Sequence, residues 1–148
     1  MFIFRMNGTD TIYILSLQVM DKGSNKIVKA DPPFTELPPG FGPRHMTVTT
    51  GFPAGNQRVY VINELQSYIS VFVLDEQSGK LEGQGTVETM PPNISGQNGA
   101  EIALHPNEKW LYCSNRGNGA ILVYTVLDDG NLENIQVCYF NNFLYSKN

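Results

Sequence analysis

Two stretches of this chain read almost alike: Val59-Tyr-Val-Ile-Asn-Glu-Leu-Gln-Ser-Tyr-Ile-Ser-Val-Phe-Val-Leu and Leu111-Tyr-Cys-Ser-Asn-Arg-Gly-Asn-Gly-Ala-Ile-Leu-Val-Tyr-Thr-Val. Tyr60 aligns with Tyr112, Asn63 with Asn115, Ile69 with Ile121 and Phe72 with Tyr124, each at a step of 52 residues. The register extends to Gly79-Lys-Leu-Glu and Gly130-Asn-Leu-Glu at a step of 51, and to Met46-Thr-Val-Thr and Ile102-Ala-Leu-His at a step of 56. Strand-like text keeps its spacing while the loops change length. A period of this size occupied by short strands is the sequence form of a β-propeller blade, a small antiparallel sheet that packs against its neighbours around a channel.

The expected fold class is therefore all-β, a β-propeller fragment of about two and a half four-stranded blades. Ile12-Tyr-Ile-Leu-Ser-Leu lines up with Ile69-Ser-Val-Phe-Val-Leu, so residues 1–33 are expected to be the outer half of a blade. Residues 34–92 form a complete blade, 93–138 a second one, and 139–148 a divergent C-terminal tail in which the blade pattern stops. Within the complete blade the predicted strands cover 45–49, 58–62, 68–74 and 80–88; in the next they cover 100–105, 110–114, 120–127 and 132–138. Gly, Asn, Asp and Ser fill the turns between them. Residues 90–99 read as a long polar link.

Of 148 residues 41% are hydrophobic and 16% charged, a balance that favours a folded chain over a disordered one. The formal net charge of −4 and the absence of any Lys/Arg run argue against a nucleic-acid partner. No apolar run is long enough to cross a bilayer, and the opening Met1-Phe-Ile-Phe-Arg is too short for a signal-peptide core, so the expected setting is cytoplasmic, with no membrane partner. Cys113 and Cys138 lack metal-site spacing and are expected to be buried free thiols. No phosphate-binding glycine loop, nucleophile elbow or metal-ligand spacing occurs, so no cofactor and no metal are expected.

In a propeller the first strand of each blade lines the channel, and the loop after the second strand overhangs the same mouth. Blade-equivalent residues therefore converge. The repeat places His45 opposite Glu101 and Glu64 opposite Arg116, which brings a histidine, two carboxylates and a guanidinium to neighbouring positions. Such a set can move a proton to or from water and neutralise an anion. Each residue also has a plainer reading. His45 could be a core histidine bonded to a loop carbonyl, Glu101 could form an ion pair with Arg116, Arg44 could point to solvent, and Asn63 and Asn115 could cap the turns that follow them.

Gly42-Pro-Arg-His-Met, Val61-Ile-Asn-Glu-Leu, Ala100-Glu-Ile, His105-Pro-Asn and Leu111-Tyr-Cys-Ser-Asn-Arg-Gly, in this order, resemble the lactonase family of seven-bladed propellers. That family includes cycloisomerase-type 6-phosphogluconolactonases and carboxy-muconate cyclases. The resemblance implies a lactone hydrolase of the pentose phosphate pathway acting on a small anionic sugar lactone, with a muconate-type lactonising cyclase as the alternative. It further implies His45, Glu101 and Glu64 as catalytic residues, with either His45 or Glu101 as the base. Arg116, Arg44, Asn63 and Asn115 are then substrate-binding. Most of a seven-bladed ring is missing from these 148 residues, so the chain could be inactive, and its open blade edges would favour self-association.

Overall fold

The structure is a computed structural model that describes residues 2–5, 11–21, 24–52, 56–75, 78–89, 98–117 and 119–139, with side chains from residue 33 onward. The link at 90–97 and the tail beyond 139 lie outside the described residues. Every regular element among them is a β-strand, and none is a helix long and apolar enough to cross a membrane.

Three antiparallel sheets follow one another along the chain. The first is three-stranded, with β1 (Phe2–Arg5), β2 (Thr11–Asp21) and β3 (Ser24–Glu36) in sequential order. The second holds β4 (Pro43–Val48), β5 (Gln57–Asn63), β6 (Tyr68–Leu74) and β7 (Leu81–Glu88). The third holds β8 (Gly99–Leu104), β9 (Trp110–Asn115), β10 (Ala120–Val126) and β11 (Leu132–Tyr139). Each is an up-and-down meander. The chain thus forms a partial propeller, in which β3 continues to Glu36, three residues beyond the boundary expected at 33.

The sequence repeat persists as backbone register. Tyr60 opposes Val71 in the second sheet, and Tyr112 opposes Val123 in the third. The outer strand pair slips at Val71/Phe72 in one sheet and at Val123/Tyr124 in the other, again 52 residues apart. β-Branched and aromatic residues fill β5, β6 and β10 because such side chains pack well on a pleated surface flanked by other sheets.

One core cluster joins the two complete blades. Tyr60, Ile62, Ile69 and Val71 from the second sheet pack with Ile102, Leu111, Cys113, Ala120, Leu122, Tyr124 and Val126 from the third. The alternate residues Val59, Val61, Phe72 and Leu74 form another cluster with Leu37 and Leu81 on the opposite face. Both faces of β5 and β6 are therefore buried, at roughly 1.5–3 kcal/mol of favourable transfer per large apolar side chain.

Polar ties reinforce the blade contact. The Tyr60 hydroxyl donates to the Gly130 carbonyl at 2.8 Å, and the Tyr124 hydroxyl donates to the Glu88 carbonyl at 2.8 Å. The Glu108 carboxylate accepts from the Thr50 amide and hydroxyl, each at 2.6 Å, and from the Gly51 amide at 2.7 Å. At Gly99 a Cβ would stand 2.3 Å from the Asn63 carbonyl oxygen and 2.7 Å from Ile62 Cγ1. Only glycine lets the start of β8 approach the end of β5 this closely.

Cys113 is buried as expected, but Cys138 is exposed. The correction has a simple cause: β11 is the outermost strand of its sheet, and its residues are largely exposed.

Candidate functional site

Both first strands carry an irregularity at their leading ends. In β4 the pairing with β5 steps from Pro43–Asn63 to His45–Ile62, leaving Arg44 as the extra residue. In β8 the pairing with β9 steps from Gly99–Asn115 to Ile102–Cys113, so Ala100 and Glu101 oppose the single residue Ser114. Bulges of this kind bend a strand and re-aim its side chains. Here they turn Arg44, His45 and Glu101 toward one place.

The loops after the second strands come to the same end. The Glu64 amide donates to the Gly42 carbonyl at 2.8 Å, and the Arg116 amide donates to the Asn98 carbonyl at 3.0 Å. These are equivalent bonds in successive blades, and each fixes a charged side chain over the start of its own sheet. Asn63 and Asn115 prepare these loops from below. Asn63 is fully buried, its amide donating to the Tyr68 carbonyl and to Ser70 Oγ, both at 3.0 Å. Asn115 is 2% exposed and its Oδ1 accepts from the Gly117 amide at 2.9 Å.

The charged residues meet across the blade boundary. Arg116 Nη2 donates to Glu64 Oε1 at 2.5 Å, and Arg44 Nε stands 3.6 Å from Glu64 Oε2. Arg44 Nη1 also donates to the Ala100 carbonyl of the neighbouring sheet. His45 Nδ1 lies 3.4 Å from Glu101 Oε1, which in addition accepts from the Ile102 amide at 3.0 Å. The structure thus brings Arg44, His45, Glu64, Glu101 and Arg116 together as two linked groups, with Asn63 and Asn115 buried beneath. The ion pair weighed between Glu101 and Arg116 is not the one formed: Glu101 faces His45, and Arg116 is engaged by Glu64.

Their side chains are 26–62% exposed, the least being Arg44 and the most Glu101. Ion pairs this open to water contribute only about 0–1 kcal/mol each, so the cluster adds little to stability. It presents instead a histidine–carboxylate pair beside two guanidinium groups in contact with solvent. Among the described residues no group of three or more His, Cys, Asp or Glu is placed to hold a metal ion.

Ser114 was not among the expected site residues. Its Oγ accepts from the Glu101 amide at 3.1 Å, taking up a donor that the bulge removes from the strand ladder. A signal existed in the repeat: the equivalent of Ser114 is Ile62, and a hydroxyl replacing an apolar side chain on a strand beside the mouth marks a local polar demand. Asn98, with φ at 127°, is a second unexpected feature, a non-glycine residue in strained backbone immediately before the close approach at Gly99.

A profile of the family described as "Lactonase, 7-bladed beta-propeller" matches residues 2–141. The chain belongs to this family. Its matched segment is 36% identical over 92 residues to the 6-phosphogluconolactonase of Pectobacterium carotovorum subsp. carotovorum (strain PC1), covering 62% of this chain and 26% of that protein. Among solved structures, the Pseudomonas aeruginosa periplasmic gluconolactonase PpgL superposes with a TM-score of 0.74 at 25% identity, covering 89% of this chain and 36% of the other. A Lactobacillus plantarum protein superposes with a TM-score of 0.73 at 28% identity, covering 88% of this chain and 36% of the other. The lactonase-family match thus spans about a quarter of the length of the curated relatives. Three consecutive sheets, the first of three strands, accord with the 36% of each solved structure that the superposition covers.

Proposed function

We propose that this lactonase-family chain is part of a lactone hydrolase of the 6-phosphogluconolactonase kind, acting on 6-phospho-D-glucono-1,5-lactone in the pentose phosphate pathway. The observation that supports this reading best is the His45–Glu101 pair, held across a blade boundary beside Arg44 and Arg116. A phosphorylated sugar does not cross a bilayer unaided, which suits a cytoplasmic setting.

The Glu101 carboxylate, 3.4 Å from His45 Nδ1, favours the tautomer protonated at Nδ1, which leaves Nε2 free of its proton and basic toward water. His45 Nε2 takes a proton from water as the water oxygen bonds to C1 of the lactone, and the carbonyl pair moves onto oxygen. Collapse of that oxyanion breaks the bond between C1 and the ring oxygen. The imidazolium then returns its proton to the ring oxygen, giving the hydroxy acid, which ionises. Arg116 and Arg44 hold the phosphate, and Asn63 and Asn115 act through the Glu64 and Arg116 that follow them. Glu64, engaged by both arginines, takes no proton in this scheme.

The test follows lactone hydrolysis by pH-stat against the spontaneous rate, together with amide shifts on adding 6-phosphogluconate. Acceleration that His45→Gln removes, with shifts at His45 and Arg116, is the expected result. The absence of both acceleration and shifts would overturn the reading. We further propose that these 148 residues, as a fragment of the ring, self-associate through uncovered sheet faces, to which Trp110 at 38% and Ile135 at 52% exposure contribute. Sedimentation at micromolar concentration should show species heavier than 16.5 kDa, and a stable monomer would contradict it.

A further inference from the structure

We propose that Glu64 is a built-in competitor for the substrate's anionic group: its carboxylate fills the place between Arg44 and Arg116 that a phosphate takes when it binds. The inference rests on the hydrolase reading only for the identity of that anion.

Each oxygen of Glu64 faces a different arginine, Oε1 toward Arg116 at 2.5 Å and Oε2 toward Arg44 at 3.6 Å. Two guanidinium groups converging on two oxygens of one planar anion is the arrangement by which arginines recognise carboxylate and phosphate. The two cations come from separate blades and are separately anchored. Arg44 sits on the bulged strand and is tied to the Ala100 carbonyl, while the Arg116 amide is tied to Asn98. Neither tie depends on the Glu64 side chain, so the Arg44 side chain and the Arg116 backbone keep their places when that carboxylate turns away, and the incoming anion takes over the Arg116 guanidinium.

Stability does not account for the arrangement. The side chains are 26%, 29% and 51% exposed for Arg44, Glu64 and Arg116, where ion pairs add little. Charge does not close either: two arginines share one carboxylate, while the other nearby carboxylate, Glu101, faces His45. Among the described residues one positive charge is left over at the group. A phosphate monoester, carrying close to two negative charges at neutral pH, satisfies both guanidinium groups more fully than the single charge of Glu64. Glu64 lies at the start of the short loop between β5 and β6, beside Leu65 at 53% exposure, and its flexible side chain can turn toward solvent when the phosphate arrives.

A consequence is selectivity among anions. A singly charged ligand exchanges one carboxylate for an equivalent and gains little, whereas a dianion gains.

The experiment titrates inorganic phosphate into the isotopically labelled chain and follows the Arg44 and Arg116 resonances, in the wild type and in Glu64→Gln, Glu64→Asp and the double variant Glu64→Gln with Arg116→Gln. Removing an exposed competing pair worth about 1 kcal/mol should tighten phosphate binding about fivefold in Glu64→Gln. Glu64→Asp, whose shorter side chain falls short of Arg116, should bind more tightly than the wild type as well, and the same spectra report whether each variant is folded. The double variant should lose the gain. Phosphate binding that is unchanged or weaker in both single variants, or a gain that persists without Arg116, would overturn the proposal. Tightened binding in a chain that does not hydrolyse lactone would leave the competition standing and remove the hydrolase reading.

Discussion

Gly99→Ala probes the contact that sets the two complete blades in register. A Cβ at that position would meet the Asn63 carbonyl oxygen at 2.3 Å, the Asn63 carbonyl carbon at 3.2 Å and Ile62 Cγ1 at 2.7 Å. Ordinary carbon–oxygen contact needs about 3.4 Å, so β8 must withdraw from β5 by roughly 1 Å. The Ile62 methylene could shift; the Asn63 carbonyl is backbone in a fully buried residue and cannot. Withdrawal over that distance forfeits about a quarter to a half of the dispersion well of each contact it opens. Overpacking of this kind costs about 1–3 kcal/mol, and the upper end applies because the obstacle is main chain. Glu101 lies two residues further along β8, so the shift also separates it from His45, now 3.4 Å away. Urea unfolding followed by tryptophan fluorescence, with Trp110 as the only tryptophan, measures the cost. A midpoint shift equivalent to less than about 0.5 kcal/mol, the range of ordinary surface substitutions, would refute the packing argument.

Tyr60→Phe removes the hydroxyl that satisfies the buried Gly130 carbonyl and should lower stability by about 1–2 kcal/mol in the same urea assay, while Tyr112→Phe, at the equivalent but less buried position, should cost less. Partial burial raises the Glu108 carboxyl, but the hydrogen bonds from Thr50 and Gly51 outweigh it and hold the group below its ordinary value of 4.5. A carboxyl with a lowered folded-state value stabilises fully above its unfolded value and loses that contribution as pH falls through the folded one. Glu108→Gln should therefore be less stable than the wild type at pH 7, with the two converging in acid; a gap that is constant down to pH 3 would contradict this. Burial pushes the Cys113 thiol up to about 12, so a disulfide reagent at pH 8 should modify exposed Cys138 promptly and Cys113 only in denaturant.

The fold was legible in the sequence because a blade writes its strands locally. Short runs of β-branched and aromatic residues in β5, β6 and β10, with turn residues between, name the sheets, and the spacing from Tyr60 to Tyr112 names their relationship. The convergence of His45, Glu64, Glu101 and Arg116 followed from equivalence of position in successive blades, whereas Arg44 entered through the family resemblance. The pairing within that group did not follow. Whether Glu101 meets His45 or Arg116 depends on the bulges at Arg44 and at Ala100–Glu101, and a bulge is decided by which backbone groups find partners across two strands, information spread over residues far apart in the chain. Ser114 escaped notice for the same reason, since its bond to the Glu101 amide exists only because the bulge leaves that amide unpaired. Cys138 was misjudged because an apolar-looking strand can be outermost in its sheet, and topology rather than pattern decides exposure.

The central claim is that consecutive sheets carry His45 and Glu101 to one mouth, and a nuclear Overhauser spectrum of the assigned, labelled chain tests it most directly. With Nδ1 and Oε1 3.4 Å apart, cross-peaks are expected between the His45 ring protons and the Glu101 side chain, accompanied by contacts from the Tyr60 ring to Gly130. Contacts confined to strand neighbours within each sheet, with none between His45 and Glu101, would contradict the account.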